Sequence, residues 1–146
     1  MTHTASETAL IEIAKEYFRR VDAGGASLTD LFTDDVELYF PKFGVAKGMD
    51  SFGALASGLF MRIRRISHDM DSLLCIANGD DVVIEGMTRG AMHNGSSWAG
   101  GNTPGGRFCN VFHFRDGKID RVHIHLDPDY GGLDRDGFLW GTERTW

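Results

Sequence analysis

Leu10, Ile13, Ala14, Tyr17, Phe18 and Val21 recur at helical spacing and predict one amphipathic helix near the N-terminus. Thr4 and Glu7 stand at capping-box spacing and mark its start, leaving residues 1–5 as a frayed end. Gly24-Gly25 stops it, since glycine reaches the left-handed backbone a helix end needs. A short second helix fits Leu28 to Phe32, with Ser27 as its cap. The run 36–40 (VELYF) predicts a strand halted by Pro41. From Asp50 to about Arg64, a third helix is expected to bury Phe52, Leu55, Ala56, Leu59 and Ile63.

Beyond that point the period changes from helical to alternating. Segments 66–77, 81–93, 107–115 and 118–127 are rich in β-formers, with turns at Asn78-Gly79-Asp80, Asn94-Gly95 and Asp116-Gly117 separating them. Helices first and an antiparallel meander after them define the α+β class, with the helices closing over a strongly bent sheet. Residues 1–146 contain no linker and no repeat, so a single domain is expected. Residues 94–106 hold five glycines and one tryptophan and predict an irregular flap. The tail 131–146 carries Phe138, Trp140 and Trp146, which would dock on the domain, a second subunit or a cavity mouth rather than face water.

The hairpin 107–127 gives the sharpest chemical expectation. Asp116-Gly117 suits a two-residue turn, and counting outward pairs Arg115 with Lys118, Phe112 with Arg121, Asn110 with His123 and Phe108 with His125. One face would then carry Phe108, Asn110, Phe112 and Phe114 beside His123, His125 and Asp127. Aromatics mixed with convergent polar groups fit a half-apolar ligand cavity better than either a plain core or a solvated surface. The other face, mostly aliphatic, would need covering by a second copy, which suggests a homodimer.

Composition narrows the partners. Of 146 residues, 42% are hydrophobic and 25% charged, and the net charge is −6. A pI near 5.4 speaks against nucleic-acid binding, which needs a basic surface. The short cluster Arg62, Arg64 and Arg65 fits a solvated helix end. Two cysteines, Cys75 and Cys109, allow one disulfide but no disulfide framework. With neither a membrane-length apolar run nor a signal-peptide pattern, a cytoplasmic protein with no membrane contact is expected.

The stretches DLFTDDVELYFPKFG, GDDVVIEGMTRG and RFCNVFHFRDGKIDRVHIHLDPDY make the chain resemble the nuclear transport factor 2-like superfamily, in particular its SnoaL-like branch. The resemblance spans roughly residues 8–130. It implies a cone-shaped α+β barrel, no organic cofactor, and a small apolar molecule in the cone. Asp127 matches the last-strand acid/base aspartate of SnoaL-like cyclases and limonene epoxide hydrolases. Two other patterns are absent. Phe40 stands where a ketosteroid isomerase base precedes the proline, and Gly86 and Thr88 replace the epoxide hydrolase Arg-x-Asp.

The candidate catalytic pair is therefore Asp127 as acid/base with His125 as its partner. His123, Asn110 and Tyr17 are candidate ligand contacts, and Phe40, Phe60, Phe108 and Phe112 candidate dry walls. The function expected is cofactor-independent isomerase, cyclase, hydratase or dehydratase chemistry on a small apolar substrate. The other reading is a non-catalytic ligand-binding or assembly module of the same fold. His-x-His-x-Asp could also ligate a metal, with His68 or His93 as the remaining donor. The chemistry favoured here uses no metal.

Overall fold

The computed structural model describes residues 2–138 and 146. Helix α1 spans Ala5–Asp22, and its capping box is complete. Glu7 N–H donates to Thr4 Oγ1 at 3.1 Å, and Thr4 N–H donates to Glu7 Oε2 at 2.8 Å. A 3₁₀ turn, Leu28–Leu31, follows, with Ser27 in the left-handed region making no side-chain cap. Strand β1 is Phe32–Phe40 and β2 is Gly44–Lys47. Helix α2 is Met49–Phe60, capped at Gly48 rather than at Asp50.

The expected continuation of α2 to Arg64 fails because Ile63 opens strand β3, Ile63–His68, so Arg64 and Arg65 lie on a strand. The remaining strands are β4 (Leu74–Asn78), β5 (Asp81–Met92), β6 (Ser97–Ala99), β7 (Arg107–Arg115) and β8 (Lys118–Leu126). The predicted strand 66–77 is thus two strands, β3 and β4, both paired with the long β5. A second 3₁₀ turn spans Arg135–Phe138. Trp140, one of the residues expected to dock, lies outside the described residues.

The sheet runs β2-β1-β8-β7-β5-β3, with β4 and β6 also on β5. The β1–β8 pairing is parallel and the others are antiparallel, so the sheet is mixed and mainly antiparallel. Its concave face holds the core. Leu10, Ala14, Tyr17 and Phe18 of α1 and Leu55 of α2 pack on Val36, Leu38, Val82, Ile84, Phe112, Ile119 and Val122. The architecture is the expected α+β cone.

The predicted flap is instead built into the fold. β6 pairs with β5, Gly100 N–H donates to Thr88 O, and Thr88 N–H donates to Gly106 O. Both cysteines are free thiols.

Candidate functional site

The register of β7 and β8 decides which side chains face the cone. The turn at Asp116-Gly117 is where the sequence places it, and Phe114 pairs with Ile119. His113 then pairs with Arg121, so Asp120 is an extra residue, a β-bulge. Beyond it every pairing moves by one: Phe112 meets Val122, Asn110 meets Ile124, and Phe108 meets Leu126. The side-chain period is two, so one extra residue exchanges the faces of β8. Val122, Ile124 and Leu126 line the cavity.

This corrects the expected grouping. His123 and His125 lie on the outer, convex face, and Asp127 is exposed beside a surface groove. His123 meets Glu37 instead, Nε2 to Oε1 at 3.1 Å, and both imidazoles stack near Tyr39. That contact, more than the nearby Lys47, holds the Glu37 carboxyl below the usual carboxylate range. Asp127 Oδ1 accepts the Asp129 N–H at 2.9 Å, a local turn contact. Asp120 locks the bulge, with His113 Nδ1 at 2.6 Å and Arg115 Nη1 at 3.5 Å from its carboxylate. Among the described residues, no group of three or more His, Cys, Asp or Glu side chains could hold a metal ion.

The cavity has a volume of about 110 Å³. Phe40, Leu55, Leu59, Phe60, Phe108 and Ile124 form much of its apolar wall. Phe112 is fully buried behind it, in edge contact with Tyr17. Few polar side chains reach the space: Tyr17, His68, Thr88, Asn110 and Tyr130.

His68, the last residue of β3, is the most chemically pointed of these. Its Nδ1 lies 2.6 Å from Asp22 Oδ1, and its backbone N–H donates to Asp22 Oδ2 at 2.8 Å. Its side chain is only 8% exposed, with Phe18 and Phe108 rings at 4.7 and 5.2 Å. A carboxylate only accepts, so Nδ1 is the nitrogen that donates to Asp22, and Nε2 is the nitrogen this contact leaves available.

Asn110 is 2% exposed and its Oδ1 has no hydrogen-bond partner. Burial pushes the Tyr17 hydroxyl above its ordinary pKa, and burial followed by the neighbouring Tyr17 and Asp127 does the same for Tyr130. Both phenols therefore remain hydrogen-bond donors. Thr88 is already engaged, accepting from Trp98 Nε1 at 2.9 Å.

Of the residues the sequence singled out, the structure brings Tyr17, Phe40, Phe60, Phe108 and Asn110 to the cavity. It separates His123, His125 and Asp127 from it. Asp22 and Tyr130 were not singled out from sequence, Thr88 entered only as the residue that replaces the epoxide hydrolase aspartate, and His68 only as a spare metal donor. No pattern along the chain points from Asp22 to His68, which lies 46 residues away.

A bent mixed sheet closed by helices over an apolar cavity with a few buried polar groups defines a cone-shaped α+β protein of the nuclear transport factor 2-like class. A family model for the SnoaL-like domain matches residues 14–122. The chain belongs to that family.

Solved structures agree on the fold. A nuclear transport factor 2-like protein from Anabaena variabilis shares 20% identity, covers 90% of this chain and 97% of its own, and superposes with a TM-score of 0.72. A candidate polyketide cyclase from Xanthomonas campestris pv. campestris shares 17% identity over 84% of this chain and 93% of that one, TM-score 0.73. TerC, co-crystallised with polyporic acid, shares 17% identity over 82% and 92%, TM-score 0.67. No curated protein gives a significant match.

Proposed function

We propose that this protein binds a small apolar molecule bearing a carbonyl or hydroxyl group and catalyses proton transfer on it without a cofactor. One observation carries the reading: His68, its side chain only 8% exposed, lines a mostly apolar cavity and is paired at 2.6 Å with the partly exposed Asp22. Asp22 holds Nδ1 and so fixes the ring's orientation, with Nε2 as the nitrogen that exchanges the proton. Tyr17 and Asn110 are the ligand-orienting groups. Aromatic walls exclude water, which strengthens each of these interactions. The TerC co-crystal supports a ligand-holding role for a fold of this kind. Enolisation-type isomerisation, aldol-type cyclisation and β-elimination of water each begin with such a transfer, and hydration is the reverse of the last.

The test is exchange of the α-protons of cyclohexanone in deuterated water, followed by NMR. The wild-type protein should exceed buffer, and His68→Gln should lose about 10²-fold or more of the excess. Asp22→Asn should lose a comparable share. Binding of the ketone with no excess exchange would instead make the protein a non-catalytic binding module.

We further propose that the convex face pairs two copies of the chain. One row of side chains crosses five strands there and reaches β2: Ile76, Val83, Val111, His123, Tyr39 and Val45 are successive register partners. It is apolar apart from His123 and the Tyr39 hydroxyl, and its ends are open, with Ile76 37% and Val45 60% exposed.

A further inference from the structure

Tyr130 lies past β8, beyond the stretch matched by the family model. Its side chain is shared between two spaces. It lines the apolar cavity, and it also lines the neighbouring groove of about 650 Å³ that runs past Lys42, Arg62 and Asp127. Phe40, Leu55, Leu59 and Ile63 are common to both, so Tyr130 belongs to the partition through which the groove meets the cavity.

This side chain is held from several directions. Its ring packs on Trp98 with centroids 4.6 Å apart. Trp98 is itself tethered by its indole N–H to Thr88 and lies across Gly90, where a Cβ would fall 2.2 Å from the indole. The Tyr130 backbone presses on Gly105, where a Cβ would sit 2.8 Å from Tyr130 Cα. A phenol fixed so thoroughly and 6% exposed would be expected to spend its hydroxyl on a protein acceptor. Among the described residues its hydroxyl makes no such hydrogen bond, which leaves the donor for a bound molecule.

We propose that Tyr130 donates a hydrogen bond to the oxygen of the bound molecule on the Trp98 side of the cavity, and so selects ligands bearing a carbonyl, enolate or phenolate oxygen. This rests on the reading of the cavity as a ligand site. It adds a specificity residue held in place by the glycine-rich segment 94–106. Preorganised donors of this kind favour developing negative charge most, since they need no rearrangement when it appears.

Two probes separate the role from simple packing: 4-nitrophenol at mildly alkaline pH, where its oxygen is ionised, and nitrobenzene, which has the same ring and no such oxygen. Tyr130→Phe keeps the ring and its contact with Trp98. The variant should bind 4-nitrophenolate about tenfold more weakly or worse, as expected for losing a hydrogen bond to a charged acceptor. Nitrobenzene affinity should stay the same. The absorption band of bound 4-nitrophenolate should also differ between wild type and variant.

Equal affinity of both proteins for 4-nitrophenolate overturns the proposal, as does an equal loss for both probes. So does failure of the wild-type protein to take up either one. Proton exchange on cyclohexanone is read separately. A protein that discriminates the phenolate through Tyr130 yet exchanges no proton keeps this inference and loses the catalytic one.

Discussion

Gly90 lies where Trp98 crosses β5, and a Cβ there would fall 2.4 Å from the Arg65 carbonyl oxygen as well as into the indole. Neither neighbour is a flexible side-chain end, so Gly90→Ala must displace Trp98 or split β3 from β5. Overpacking of this kind costs about 1–3 kcal/mol, to be read from urea denaturation. Tryptophan fluorescence should shift with it, because Trp98 loses its bond to Thr88. Asp22 is the contrasting residue. Nothing in its neighbourhood along the chain suggests a partner, since His68 is 46 residues away. Contacts of that separation are decided by topology, which is why the His68–Asp22 pair was invisible to pattern while Tyr17 and Asn110, on strongly periodic segments, could be placed.

At the scale of elements, α1 is where local rules suffice. Its cap, apolar stripe and glycine stop are each visible in sequence and each present in the structure. The Thr4 backbone N–H holds Glu7 below the usual carboxylate range, Lys15 does so for Glu12, and Arg20 for Glu16. Lowered folded-state values mean that the unfolded chain takes up protons first as pH falls. The stabilisation is therefore complete only well above the ordinary glutamate value of 4.5, and is lost as pH drops through and below it. Thr4→Ala should cost about 1 kcal/mol at neutral pH. Alanine keeps the backbone N–H and loses only the hydroxyl that also donates to Glu7, so the acid branch of the stability curve should flatten in part, measured by denaturant titration across pH.

Strand β8 shows where local rules stop. The Asp-Gly turn is correctly signalled, yet the bulge at Asp120 reverses the faces beyond it. Alternation along Val122, Ile124 and Leu126 already favoured those aliphatics inside. The mixed face inferred from the turn alone conflicted with that preference, and burying the aliphatics prevailed.

On the scale of the whole molecule, the order of helices and strands determined the class, and the curved sheet with its apolar hollow follows from it. What pattern could not supply was the parallel β1–β8 seam and the division of β3 from β4, both long-range outcomes. The convex row through Val111 belongs to this scale too. If two copies meet there, Val111→Arg should convert a dimer to a monomer in sedimentation velocity at micromolar protein. A wild-type chain that sediments as a monomer would end the pairing proposal.

The single extra residue in β8 also ties two surfaces to one count. Cavity lining and convex-face chemistry are written on alternate letters of the same nine-residue strand, and only the spacing between turn and bulge assigns each letter to its side. Substitutions can therefore tune either surface independently, whereas removal of one residue between 117 and 122 would trade imidazoles for aliphatics across the sheet. The hairpin should tolerate changes of identity far better than changes of length.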